Sequence, residues 1–328
     1  MELVLREIIT HCTAGERLAL CVVVGSRGST PQEAGAKMLV LADGGTVGTL
    51  GGGCVEAEVR RRALELMPDG VSKRLQFRLD HDYGWDDGLI CGGTMDILVH
   101  LLDGPTAAEP FQRAADDLAA GNVATISLPD PDGSSEAAYV DEIEPAPRLV
   151  IAGAGHVGQS LAEIAAGLGF EVTIIDDRAD CASEERFPRA KHRIVGEIEA
   201  ELRRAPIDAR TYVVIVTRGH RHDGKALATV LDSPAKYVGL IGSKRKVMTI
   251  FADLLAQGAS IDALCRVHAP VGMEIGAVTV PEIALSIAAE LVAVRRGRDD
   301  APASPMKFDP HRLRELLAKQ ASSPSPHA

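Results

Sequence analysis

Aromatic side chains are scarce in this 328-residue chain, where Phe, Trp and Tyr together supply 3% of the residues and Trp occurs once. Its cores must therefore be built from Ala, Val, Leu and Ile within a hydrophobic fraction of 46%. Positive charge is also short, with 35 Lys and Arg against 46 Asp and Glu and a net charge of −11. A face able to neutralise phosphates is missing, which excludes a nucleic-acid binder. The densest basic run, Arg60-Arg61-Arg62, lies among Glu56, Glu58 and Glu65 and reads as a solvated helix face. No apolar run reaches the ~18 residues needed to cross a bilayer, so no membrane association is expected. The start, Met1 to Glu7, carries acids where a signal peptide carries a basic segment, which argues against export. Six cysteines are scattered with no C-x-x-C pair, so neither a zinc knuckle nor a thioredoxin-like couple is indicated. Reduced thiols in a cytoplasmic protein are the expectation.

The length suits two domains. In the first half, residues 2–12 read as an amphipathic helix, and Leu18 to Val24 is a continuous apolar run of strand length. Strands are expected at 37–42 and 45–50, a helix at 54–67, strands at 74–79 and 95–101, a helix at 106–120 and a last strand at 122–128. The polar, turn-rich and acidic stretch 129–147 reads as a linker. The expected division is an N-terminal α+β domain at 1–128, that linker, a second domain at 148–296, and a partly disordered tail at 297–328. The second half alternates strands at 148–152, 171–175, 192–195, 211–216 and 236–241 with helices, the signature of a parallel doubly wound sheet. A strong helix follows at 281–296, and the tail offers one more at 310–319.

Leu149 to Gly158 runs from a buried strand into G-x-G-x-x-G and then a helix. Gly153 permits the tight turn, Gly155 lets a phosphate approach the backbone, and Gly158 allows close helix packing. The next strand ends at Asp176, about 20 residues on, where a ribose-binding acid belongs. This context predicts a Rossmann-type α/β domain. His156 reads either as a phosphate or pterin contact or as a solvent-facing loop residue. Arg178, beside Asp176, offers an alternative contact for a 2′-phosphate.

Two glycine-flanked thiols mark the first half. Gly51-Gly52-Gly53-Cys54 puts a thiol at a helix start, where free amides and the helix dipole favour the thiolate. Ile90-Cys91-Gly92-Gly93 puts a second in another flexible loop. Each thiol is read either as a ligand to a bulky soft guest or as a packed structural residue. The loop Gly25 to Gln32 offers hydroxyls and amides to an anion, or is a polar turn. His81 to Asp87 crowds acids around one His and reads as a solvated loop rather than a metal site.

These segments resemble the XdhC/CoxI family of molybdenum-hydroxylase accessory proteins. The resemblance runs from about Ala19 to Arg296 and rests on Gly28-Ser29-Thr30-Pro31, Gly51 to Glu56, Cys91-Gly92-Gly93, Gly153 to Gly158, Val216 to Asp223, Gly239 to Lys246 and His268 to Ile287. Two departures stand out: Gln32 where the family carries Arg, and Val280 inside its Thr-Pro pair. The resemblance implies a chaperone that binds the molybdenum cofactor (molybdopterin) and protects it during sulfuration by a cysteine desulfurase. It then inserts the cofactor into the large subunit of a molybdenum hydroxylase such as xanthine dehydrogenase. It also implies a homodimer. Within it, Cys54 and Cys91 become candidate molybdenum contacts, and Gly153, Gly155, His156, Gly158, Asp176, His220, Lys244 and Arg245 candidate cofactor contacts. No catalytic residue is expected. Asp223 and Lys246 lie near the same strand ends and join the candidate crevice. The alternatives are an NAD(P)-dependent oxidoreductase using the Gly153 loop, and a structural component of a dehydrogenase complex.

Overall fold

The continuous apolar run at Leu18–Val24 is explained by a strand covered on both faces. In the computed structural model, which describes residues 2–79, 92–133, 137–298 and 314–315, the chain divides into two compact units, 1–145 and 146–328. The first unit contains α1 (Glu2–Thr13), β1 (Arg17–Arg27), β2 (Lys37–Val40), β3 (Thr46–Gly48), α2 (Gly53–Leu66), β4 (Lys73–Arg78), β5 (Thr94–Asp103), α3 (Gly104–Ala120), β6 (Ala124–Pro129) and β7 (Ala137–Ile143). Five of its strands form an antiparallel sheet in the order β3-β2-β1-β5-β4. Leu18, Leu20 and Val22 of β1 face one core with Ile8 of α1 and Phe111 of α3. Ala19, Cys21 and Val23 face a second core with Val55, Val59 and Ala63 of α2. Two buried faces leave no room for polar alternation, so the strand reads as one hydrophobic block.

The linker expected at 129–147 is corrected here. Residues 137–143 form β7, which pairs antiparallel with β6, so 122–128 is not the last strand of its unit. Ile143 joins Ala124, Ile126 and Leu128 in the α1–α3 core. Flanking Pro and acidic residues hid a half-buried hairpin behind the composition of a loop.

The second unit contains β8 (Arg148–Ala152), α4 (His156–Gly167), β9 (Glu171–Asp176), β10 (His192–Val195), α5 (Ile198–Arg204), β11 (Thr211–Ile215), α6 (His220–Val230), β12 (Tyr237–Leu240), α7 (Lys244–Ala256), α8 (Ile261–Cys265), β13 (Val267–His268) and α9 (Val280–Arg295). It holds a fully parallel sheet in the order β10-β9-β8-β11-β12-β13. Leu149 and Ile151 of β8 pack with Leu161 of α4 and Ile287 and Leu291 of α9. Val150 and Ala152 pack on the other face with Leu202, Leu227 and Phe251 of α5, α6 and α7. Strand order reverses between β8 and β11, which makes the crevice beyond their carboxyl ends the place where a doubly wound sheet binds ligands. β13, two residues long, is too short for any periodicity to announce it. No helix among the described residues is long and apolar enough to cross a membrane.

Candidate functional site

The carboxyl edge of the parallel sheet gathers the turns after β8, β9, β11 and β12. Glycine is demanded for different reasons along the first of them. At Gly153 (φ +119°) a Cβ would lie 2.4 Å from the carbonyl oxygen of Val216, and at Gly158 one would lie 2.1 Å from that of Gly153. Both are fixed by packing. Gly155 differs: its φ of −72° suits any residue, and a Cβ there would meet nothing within 4 Å. Neither packing nor backbone conformation requires a glycine at Gly155.

Gly155 is the N-cap of α4 and Gly219 that of α6, and neither helix receives a side-chain cap from the described residues. Their first amides therefore remain available to an anion, aided by the helix dipoles. α7 is different, because Ser243 accepts a bond from the amide of Lys246 at 3.3 Å. His156 and His220 are the first residues of α4 and α6, and both are exposed. Lys244 and Arg245 are exposed in the first turn of α7 and make no ion pair among the described residues.

Three expectations at this edge are corrected. Asp176, expected to hold a ribose, is 2% exposed. Its oxygens accept from the amide of Ala154 (2.7 Å), the amide of Arg178 (3.0 Å) and, bidentately, the Arg178 guanidinium (2.8 and 3.0 Å). Burial works to raise its pKa, but Arg178 and the two amides outweigh it and hold the carboxyl at about 2. No free acceptor is left for a ribose diol, and Arg178 is committed to Asp176. Asp223, expected to line the crevice, is fully buried and accepts from the Thr217 amide (3.1 Å) and hydroxyl (2.6 Å). Lys246, expected near a phosphate, is ion-paired to Asp223. These two residues clamp the β11–α6 turn to α7. Asp177 and Arg218, paired at 2.8 and 2.9 Å, join the turns after β9 and β11.

In the first unit three glycine-bearing loops meet. Ser29 bridges to Gly92. A Cβ on Gly93 would lie 2.3 Å from the Ser29 carbonyl oxygen, and one on Gly51 would lie 2.5 Å from Cβ of Pro31. Gly51, Gly52 and Gly53 all have positive φ (108°, 79° and 67°) and lead into α2. The organiser of this turn is Glu56, which the sequence placed only on a solvated helix face and at the end of a family segment. Its Oε1 accepts from the Thr49 hydroxyl (2.5 Å) and the amides of Leu50 (2.7 Å) and Gly52 (2.8 Å). Burial opposes its charge, yet these donors prevail and lower its pKa. Cys54, the second residue of α2, is half-buried. Cys12 and Cys21 are buried, with burial pushing their thiols up to about 11 and about 12. Cys91 and the His81–Asp87 segment lie outside the described residues.

A second residue missed in the sequence is Glu290 of α9, 1% exposed. It accepts from the Tyr237 hydroxyl (2.7 Å) and the Gly272 amide (2.7 Å), and Nδ1 of His268 lies 2.9 Å away. A carboxylate inside an Ala-rich helix carries no signal of these partners.

A model described as the XdhC and CoxI family matches residues 11–78, and one described as the XdhC Rossmann domain matches residues 149–291. The uncharacterised protein YqeB of Escherichia coli K12 is 31% identical over 294 residues, 89% of this chain, which spans 46% of that protein's length. A Bacillus subtilis 168 protein described as a probable xanthine dehydrogenase subunit is 26% identical, covering 86% of this chain and 94% of its own. The molybdenum cofactor insertion chaperone PaoD of Escherichia coli K12 is 25% identical, covering 90% and 89%. A crystal structure from Bacillus halodurans, described as a xanthine dehydrogenase, superposes with a TM-score of 0.79 at 25% identity over 93% of this chain and 98% of that one.

Proposed function

The chain belongs to the XdhC and CoxI family, and from that premise we propose that it is an accessory chaperone that binds the molybdenum cofactor and inserts it into a molybdenum hydroxylase. The relatives named as a molybdenum cofactor insertion chaperone and as part of a xanthine dehydrogenase support this reading. The observation that carries it is Gly155, whose open surroundings and uncapped helix start form an anion seat that the fold itself does not require. Molybdopterin is a phosphate monoester bearing soft sulfur. The amides of α4 and α6, with Lys244, Arg245, His156 and His220 around them, suit its phosphate. Cys54, half-buried at a glycine-lined helix start, suits a soft metal or sulfur contact, and Cys91 keeps the same candidate role. In this reading the chaperone shields the cofactor during sulfuration by a cysteine desulfurase, acts as a homodimer in the cytoplasm, and catalyses no reaction of its own.

An NAD(P)-dependent oxidoreductase draws no support from the site, because Asp176 offers no free oxygen to a ribose. The test is mass spectrometry of small molecules released from protein purified from cells with an active molybdenum-cofactor pathway. Molybdopterin is expected. Release of a nicotinamide nucleotide, or of nothing from folded protein, overturns the proposal.

A further inference from the structure

Arg218 and Asp177, joined as an ion pair, stand in the turns after β11 and β9, and in the sheet order β9-β8-β11 the strand between them is β8. Neighbouring strands lie about 4.8 Å apart, so the pair bridges roughly 10 Å across the carboxyl end of β8. That end is the glycine turn. Gly153 abuts the Val216 carbonyl on the β11 side, and Asp176 holds the Ala154 amide on the β9 side. In a doubly wound sheet, a ligand at such a turn lies across the same strand ends. An anion moving onto the first amides of α4 therefore meets the Arg218–Asp177 pair.

Several features let this pair open. Its side chains are 55% and 42% exposed, so water and salt weaken it. One guanidinium nitrogen, Nη2, donates to both Asp177 oxygens at 2.9 and 2.8 Å. Nη1 and Nε of Arg218 donate to no acceptor among the described residues, so part of the fork is unused. Arg178 is the contrast, gripping the buried Asp176 through two nitrogens. Its Nε also lies 3.9 Å from Asp177, so that carboxylate keeps a cation beside it when Arg218 leaves. The backbone beneath Arg218 is anchored, because Asp223 accepts from the Thr217 amide and hydroxyl and pairs with Lys246. A swing of the side chain alone is enough to move the charge.

We propose that Arg218 is a phosphate ligand of the cargo, held across the glycine turn by Asp177 until the cargo arrives and exchanging that carboxylate for the phosphate on loading. The inference rests on the proposed function and deepens it, because it names the side chain that completes the amide seat and the carboxylate that guards it. A phosphate dianion carries more charge than a carboxylate and accepts two parallel guanidinium bonds, so it competes for Arg218 on favourable terms. Asp177 then falls back on Arg178.

Full-length protein is titrated with inorganic phosphate at constant ionic strength, by calorimetry and by phosphorus magnetic resonance. Arg218→Ala weakens phosphate binding at least about tenfold, the worth of a hydrogen bond to a charged group, and Arg218→Lys keeps part of it. Asp177→Asn, which frees Arg218, tightens binding about threefold, the size of one exposed ion pair. In the Arg218→Ala background the gain from Asp177→Asn is smaller, and the difference measures the exchange. Because the pair is exposed, each single variant melts within about 2 °C of the wild type. Undiminished phosphate binding by Arg218→Ala, weakened binding by Asp177→Asn, an equal gain in both backgrounds, or no binding to the wild type would each overturn the assignment. Molybdopterin content of the same proteins separates this assignment from the reading beneath it. Equal cargo on wild type and Arg218→Ala removes Arg218 and leaves the chaperone standing. A wild type without cargo removes the chaperone reading, and the phosphate titrations then decide Arg218 by themselves.

Discussion

Oδ2 of Asp176 accepts a 2.7 Å hydrogen bond from the amide of Ala154, joining the tip of β9 to the glycine turn after β8. Its pKa is lowered from 3.8 to about 2 in the folded protein. The sign follows from linkage: a depressed folded pKa gives stability that is present above the ordinary value and lost as pH falls through the folded one. Wild-type stability should therefore fall between about pH 4 and pH 2. Asp176→Asn should lose about 2 kcal/mol at neutral pH, the worth of a hydrogen bond to a charged group, and show a shallower acid decline. Urea unfolding at several pH values checks this, and a gap between wild type and variant that stays constant down to pH 2 would refute it.

The three glycines of the turn after β8 separate fold from ligand. Gly153→Ala and Gly158→Ala place a Cβ 2.4 Å and 2.1 Å from backbone oxygens and should destabilise by several kcal/mol or abolish soluble expression. Gly155→Ala enters open space at a φ open to any residue, so its melting temperature should stay within about 2 °C of wild type. In the proposed site the added methyl would block the phosphate's approach, so bound molybdopterin per mole of protein should fall at least about tenfold. Equal cargo on Gly155→Ala and wild type would show that Gly155 is no contact.

Cysteine labelling tests the first unit. Cys54 is half-buried, whereas Cys12 and Cys21 are buried with pKa values raised to about 11 and about 12. Because the thiolate is the reactive form, native protein at pH 7.5 should alkylate at Cys54 well before either of the others. Bound cofactor should slow the labelling of Cys54. Peptide mass spectrometry after timed iodoacetamide treatment reads both effects. Labelling of Cys54 that is indifferent to cargo removes it as a contact.

Much of the second unit was legible because one strand-turn-helix motif constrains its neighbours. Gly153 to Gly158 implied a parallel sheet, and every strand from β8 to β12 falls within a residue or so of its expected place. β7 was not legible, because Pro and acidic residues mimic a linker when half of a hairpin is solvated. The partners of buried polar groups were the least legible part. Asp176 carried a ribose signal in its position, yet Arg178 two residues on takes the same oxygens, and no spacing rule says which wins. Asp223 and Lys246 look like crevice residues along the chain, and only folding shows that they neutralise each other. Glu290 owes its importance to Tyr237, His268 and Gly272, which the linear order keeps far from it.

Glu290 shows how much of the second unit hangs on one such residue. Its two oxygens hold β12 through Tyr237, β13 through His268, and the following loop through the Gly272 amide. Burial opposes its charge, but the His268, Tyr237 and Gly272 donors outweigh it and lower the pKa below 4.5. Its contribution is thus complete above the ordinary carboxylate range and fades as pH falls below it. Glu290→Leu leaves two buried donors and the part-buried His268 without an acceptor and should cost about 3 kcal/mol or more. Glu290→Gln keeps the shape and one acceptor and should cost less. Because the loss begins at the 268–272 segment, amide exchange at Gly272 should accelerate under native conditions more than exchange in β8, which sits two strands away from β12 across β11. Uniform acceleration throughout the sheet would instead mean that Glu290 supports the whole unit rather than this corner.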